Sequence, residues 1–93
     1  MNRHAEGEQR AAIIEDARAL LDWLEANPEV PVWAFGQEIL CSPDGGRAGV
    51  DRVASVMGEK PEERPNGAYR ATKRFGRVAY VSYAAPQPKA VAA

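Results

Sequence analysis

Few side chains in this sequence have the types and the spacing that catalysis or metal binding needs. His4 is the only histidine and Cys41 the only cysteine, and they lie far apart along the chain. A Cys/His dyad or a Ser/His/Asp triad would depend on that single terminal histidine, and the usual structural zinc patterns need more His and Cys than are present. We therefore expect no catalytic residue, no metal site and no cofactor, and we predict that the protein is not an enzyme.

Two further polar segments have ordinary explanations. The adjacent carboxylates Glu62 and Glu63 lie in a polar stretch over 60–67, which is typical of a solvated loop. Residues 42–47 read Ser-Pro-Asp-Gly-Gly-Arg, a composition that can hold an anion before a helix. They lack the lysine and hydroxyl residue that end a phosphate loop. A helix-starting turn is thus the first interpretation, and an anion or small-ligand site is an alternative.

The basic residues are concentrated at the C-terminal end of the sequence. The formal net charge is −1, but no Asp or Glu follows Glu63. Residues 67–93 carry only basic charges and also hold four of the seven aromatic residues. This uneven distribution of charge affects which partners the protein can bind, and it does not predict the fold.

A hairpin is predicted within this basic segment, with strands at about 68–75 and 78–84 joined by Gly76-Arg77. Arginines on one face beside an aromatic ring can contact phosphates and stack on a base. The hairpin therefore predicts, as an alternative function, a nucleic-acid site made of Arg70, Arg74, Arg77, Lys73 and Tyr83. The competing interpretation is a solvated face on which the arginine stems cover neighbouring apolar residues.

The first predicted helix, over about residues 8–26, offers a second candidate surface. Its main apolar stripe follows helical spacing and comprises Ile13, Ala17, Leu20, Leu21 and Leu24. Trp23 lies about 110° from this stripe around the helix, and alanines spaced by seven residues form a small-residue seam beside it. The predicted protein-interaction site is Trp23 with Ala12, Asp16, Ala19 and Ala26, since tryptophan is a frequent interface hot spot. Packing of Trp23 within the protein is the alternative.

The elements that must position these residues follow the order α-β-α-β-β. A second helix is predicted at 47–57 and a first strand at 32–41, in which Trp33, Phe35, Ile39 and Cys41 share one face. We predict an α+β fold with two helices packed on one face of a small three-stranded, mainly antiparallel sheet. The last strand is expected to insert between the other two. The predicted core contains Leu20, Leu21, Leu24, Ile39, Val50, Val53 and Met57.

Length and composition predict a single globular domain over residues 1–85, with residues 1–8 frayed and a disordered tail over 86–93. No apolar run is long enough for a bilayer span. A lone cysteine cannot form an internal disulfide, which favours a reducing, cytoplasmic location.

One longer stretch carries a resemblance. The run from Leu20 to Val32, which reads LLDWLEANPEVPV, together with Phe75-Gly76 and the aromatic strand around it, resembles small uncharacterised proteins of actinobacteria and their phages. The resemblance covers most of the chain and contains no catalytic motif. It implies an accessory protein of a phage or mobile element. We therefore expect a non-enzymatic protein that acts by binding another protein, with a second copy of the chain among the candidate partners.

Overall fold

The computed structural model describes residues 3–86. The chain divides into two compact units, one ending at Val32 and the other beginning at Trp33, and each is described by itself. The predicted tail lies outside the described residues except for Pro86. The single domain over residues 1–85 stays a prediction.

The first unit contains helix α1, Gly7–Ala26, whose end agrees with the sequence prediction. Asn27 donates from its side-chain Nδ2 to the carbonyl of Trp23 at 2.8 Å, and its backbone N–H donates to the carbonyl of Leu24 at 3.2 Å. Pro28 then disfavours helical geometry at Asn27. No residue of α1 is buried.

The second unit contains one helix and four strands. They are β1 (Gln37–Cys41), α2 (Gly46–Met57), β2 (Glu62–Glu63), β3 (Tyr69–Phe75) and β4 (Val78–Ala84). The strands form one sheet in the order β1-β4-β3-β2. This is the predicted α+β class, and β4 lies between β1 and β3 as expected.

The sheet differs from the prediction in strand number and direction. Glu62 and Glu63, predicted to lie in a loop, form β2 and pair antiparallel with Arg70 and Tyr69. This added reversal before β3 means that β4 runs parallel to β1 instead of antiparallel to it. The sheet is therefore mixed. The prediction missed β2 because a two-residue strand inside a polar segment has no periodicity that a sequence pattern can reveal.

The β3–β4 hairpin has the predicted turn and register. Phe75 lies opposite Val78, Lys73 opposite Tyr80 and Ala71 opposite Ser82. Gly76 has a φ of 65°, and no non-glycine residue in the described chain has a positive φ. This matches a two-residue loop whose first position is glycine.

Strand β1 is shorter than predicted because the chain turns before it. The N–H of Gly36 donates to the carbonyl of Trp33 at 3.1 Å, so Trp33 and Phe35 lie in a turn and not on a strand face. Gly36 has a φ of 92°, and a Cβ built there would lie 1.7 Å from the carbonyl oxygen of Arg77. Only glycine allows this close approach to the hairpin.

The core lies between α2 and the sheet and is smaller than predicted. It is formed by Val50, Ala54, Ala71 and Ala84, with Met57 and Tyr69 packed against it. Val50 and Met57 are thus correctly placed, and Val53 is partly buried. The prediction is wrong for Leu20, Leu21 and Ile39, which are 55%, 62% and 60% exposed, and Leu24 is only partly buried. Small residues on β3 and β4 let α2 approach closely, so alanines fill the positions expected for larger side chains.

Candidate functional site

The two faces of the sheet have different surroundings. Helix α2 contacts β3 and β4 on the side that carries Tyr69, Ala71 and Ala84; we call this side the helix face. Because side chains alternate along a strand, Arg70, Thr72 and Arg74 of β3 lie on the opposite side, the arginine face. The registers of β1 and β4 add other residues to the arginine face, namely Glu38, Leu40, Ala79, Val81 and Tyr83.

An ion pair on the arginine face joins β3 to β1 across the strand that lies between them, β4. Arg70 Nη2 donates to Glu38 Oε2 at 3.1 Å, and β4 lies between the strands that carry them. Arg70 is opposite Tyr83 and Glu38 is opposite Ala79, so the pair crosses β4 at Val81. Val81 is accordingly 0% exposed. The arginine stem covers apolar sheet surface while its charged end meets a carboxylate.

A polar cavity with balanced charge lies on the arginine face. Its volume is about 630 Å³, and its lining contains a second ion pair, in which Arg64 Nη1 lies 3.3 Å from Glu62 Oε1. The lining comprises Arg64, Arg70, Arg74, Glu38, Glu59, Glu62 and Thr72. Three carboxylates therefore accompany the three guanidinium groups, and this cancels most of the positive potential that a phosphate backbone would meet.

The structure brings together only part of the predicted nucleic-acid site. Arg70, Arg74 and Tyr83 share the arginine face. Lys73 lies on the helix face, where its Nζ donates to the carbonyl of Met57 at 3.2 Å at the C-terminal end of α2. Arg77 lies in the hairpin turn, and its carbonyl accepts the N–H of Gln37.

A separate polar cluster lies where α2 meets β3. The Tyr69 hydroxyl donates to Asp51 Oδ1 at 2.6 Å, and the Arg47 guanidinium stacks 4.9 Å from the centre of the Tyr69 ring. Arg47 also pairs with Glu63. The hydrogen bond to Asp51 raises the pKa of Tyr69, and desolvation adds to the effect. These contacts join α2 to β3 and to the neighbouring β2.

The 42–47 segment starts α2, as its first interpretation predicted. Gly45 is the N-terminal cap residue with a φ of 90°, and Arg52 Nη2 donates to the carbonyl of Asp44 at 2.9 Å. Gly49 is buried, and a Cβ there would lie 2.1 Å from the same carbonyl oxygen. Arg52 therefore contacts the backbone of this turn directly, and the turn is packed against the helix that it begins.

The predicted protein-interaction site on α1 is exposed. Trp23 is 51% exposed, and Ala12, Asp16, Ala19 and Ala26 are all exposed as well. The apolar stripe next to them also has large exposed side chains, with Leu20 one turn before Trp23. Trp23, the seam and the stripe together give α1 a wide apolar surface.

Sequence reasoning missed Glu38 as a partner of the arginine face. The sequence shows that Glu38 and Leu40 lie on the same side of the predicted strand. It does not show which residues of the sheet they face, because that depends on which strand pairs with β1. Pairing of β1 with β4 brings Glu38 within reach of Arg70, and this contact depends on the strand order and on the direction in which the two side chains extend.

Comparison with known proteins gives no relative for this chain: no family model, no curated protein and no solved structure matches it. Residues 3–86 contain no group of three or more His, Cys, Asp or Glu side chains placed to hold a metal ion. Neither helix of the described chain combines the length and apolar character that a membrane span requires.

Proposed function

We propose that this chain is a non-enzymatic protein that acts by binding another protein through α1. The observation that supports this function is the exposure of large apolar side chains along one 20-residue helix, where Leu20, Leu21 and Trp23 are each more than half exposed. Exposed apolar groups that continue along a helix are typical of helices that dock into a groove of a partner.

The chemistry of α1 indicates what kind of partner would fit. Its charged residues are Glu8, Arg10, Glu15, Asp16, Arg18, Asp22 and Glu25, an excess of acids. A partner would offer an apolar groove with a socket for the Trp23 ring and basic residues at its rim. Ala12, Ala19 and Ala26 would allow its backbone to approach closely. From the sequence resemblance we further propose a phage or mobile-element accessory that acts in the cytoplasm.

Substitution of Ala19 tests this surface. Ala19→Glu adds a bulky charge beside Trp23 without removing a buried group, so it should weaken partner capture by about tenfold or more, because charge at a desolvated interface centre is costly. Affinity capture from host lysate followed by titration of the captured protein measures the change.

A matched control is Ala11→Glu. Ala11 is also exposed on α1 but lies about 120° from Trp23 around the helix, among the charged residues. It adds the same charge and volume and should leave capture unchanged. Equal loss in both variants, or none in either, would contradict a Trp23-centred surface.

Nucleic-acid binding is the alternative function, and the observation that supports it is the position of Arg74. Arg74 is exposed on the arginine face and has no ion pair among the described residues. Binding through Arg74 would fall steeply with salt. It should weaken with Arg74→Glu and strengthen with Glu62→Gln, which removes one acid from the lining of the same cavity. An anisotropy titration at rising salt compares the three chains; tight binding at physiological salt would place this function first.

A further inference from the structure

The two edges of the sheet are protected to different degrees. Edge strand β2 is two residues long, consists of Glu62 and Glu63, and is flanked by Pro61 and Pro65. Short length, charge and proline are the features with which proteins prevent edge strands from pairing. Edge strand β1 has five residues, QEILC, and contains neither proline nor lysine. Protection is therefore concentrated on one edge.

The backbone of β1 presents hydrogen-bonding groups on its outer side. The N–H of Gln37 donates to the carbonyl of Arg77 at 3.1 Å, so Gln37, Ile39 and Cys41 direct their backbone groups toward β4. By the alternation of a strand, Glu38 and Leu40 direct their N–H and C=O groups away from the sheet. In the described chain β1 pairs with β4 alone.

The side chains of β1 are also suited to an interface. Ile39 on the helix face and Leu40 on the arginine face are 60% and 53% exposed. Within the second unit α2 contacts β3 and β4 but not β1, so α2 leaves β1 uncovered. Its only charged residue, Glu38, is neutralised by Arg70 at 3.1 Å and leaves no net charge along the edge.

We propose that β1 pairs antiparallel with β1 of a second copy, about a two-fold axis at Ile39, and thus forms one continuous sheet across two chains. This register places Glu38 opposite Leu40 of the second copy. Both have outward backbone groups and can exchange both hydrogen bonds. Ile39 lies opposite Ile39 at the closer, non-hydrogen-bonded spacing, where β-branched side chains pack well. A two-fold interface uses the same patch on both copies.

Charge and area both favour a second copy over other occupants. Each Glu38 keeps its own Arg70, so two copies bring no unpaired like charges together. Trp33 and Phe35 in the turn before β1 are 74% and 94% exposed. Aromatic side chains bury about 150–250 Å² each, so with Ile39 and Leu40 each copy offers apolar area of the order of the ~800 Å² per partner of a standard interface. This pairing is independent of α1 and of the proposed function.

The position of Ile39 on the axis allows a charge-complementation test. Ile39→Lys and Ile39→Glu each place like charges opposite each other, so each variant alone should self-associate about tenfold more weakly than the parent. An equal mixture should recover association as a Lys–Glu heterodimer. Sedimentation velocity over a concentration series measures all four samples. Val56→Lys is the matched control, since Val56 is an exposed apolar residue of α2, and it should associate like the parent.

Recovery by mixing also shows that the variants fold. A parent that stays monomeric up to millimolar concentration would overturn the proposal. So would Ile39→Lys that dimerises as the parent does, a mixture that does not recover, or an edge occupied by a strand of a different protein.

Cross-linking tests the register itself. In a Cys41→Ser background, Ile39→Cys places two thiols opposite each other on the axis and should give a covalent dimer under mild oxidation. Val56→Cys in the same background is the control and should not. Equal cross-linking of both variants would overturn the register.

Discussion

At the scale of single residues, the partners of a side chain decide what its charge can do. Arg70 and Arg74 lie four residues apart on the same face of β3, but Arg70 is paired with Glu38 across β4 while Arg74 is exposed. The first covers Val81 and neutralises the sheet edge, whereas the second has no ion pair among the described residues and is the more exposed of the two. Both arginines lie beside β4, and the register aligns Glu38 and Ala79 with Arg74, so their different roles follow from the directions in which the two side chains extend.

Tyr69 gives a pH prediction at this scale. Its hydroxyl donates to Asp51 Oδ1, and this hydrogen bond is the main cause that raises the pKa of Tyr69 above its ordinary value. Because the folded pKa lies above the unfolded one, the stabilisation is fully present below about pH 10 and is lost as the pH rises through the raised folded pKa. In an alkaline near-UV absorbance titration, the parent should show a late tyrosine transition that belongs to Tyr69.

Two variants assign that tyrosine. Tyr69→Phe should remove the late transition, and Asp51→Asn should move it toward lower pH because the charged acceptor is lost. An Asp51→Asn chain whose late transition does not move would contradict the role of Asp51.

At the scale of elements, two glycines determine how the strands meet. Gly36 lets the turn before β1 approach the carbonyl of Arg77, which places β1 beside β4 and not elsewhere on the sheet. Gly76 closes the β3–β4 hairpin with a positive φ and has open space where a side chain would be. Gly36 is needed for space and for its positive φ, and Gly76 is needed for its positive φ alone.

Gly76→Val tests the conformational requirement. The substitution forces a β-branched residue into a positive φ, so it should lower the free energy of unfolding by more than about 1 kcal/mol. Denaturant unfolding of the two chains measures this. Gly76→Asn should cost less because asparagine tolerates this region better. Identical midpoints for the parent and Gly76→Val would mean that the turn has another conformation.

At the scale of the whole molecule, a small core leaves much apolar surface in water. The buried cluster consists of three alanines and Val50, whereas large apolar side chains on α1, β1 and the turn before β1 are exposed. A short chain buries only a modest fraction of its surface. Association would add stability by burying these exposed groups. On α1 the proposed partner is another protein, and on β1 it is a second copy of this chain.

Val50→Ala tests how much depends on this core. Val50 is the largest apolar residue of the cluster and is 0% exposed, so its truncation should cost about 2 kcal/mol, a large part of the stability of a small domain. Val56→Ala, on the exposed side of the same helix, should change stability by less than about 0.5 kcal/mol. Similar unfolding midpoints for both variants would contradict the assigned face of α2.

The features determined by the sequence itself are local ones. Three features follow from steric preferences of residues close together in the chain. They are the end of α1 at Asn27-Pro28, the end of α2 at Met57, where the next residue, Gly58, has a φ of 70°, and the hairpin register around Gly76. Tertiary structure alone decided that Glu62-Glu63 forms a strand, that β1 runs parallel to β4, that Glu38 reaches Arg70, and that Ile39 lies at an open edge. These outcomes depend on pairing between segments that are distant in sequence. The packing of the whole sheet determines which segments pair, so no periodic pattern within one segment can reveal it.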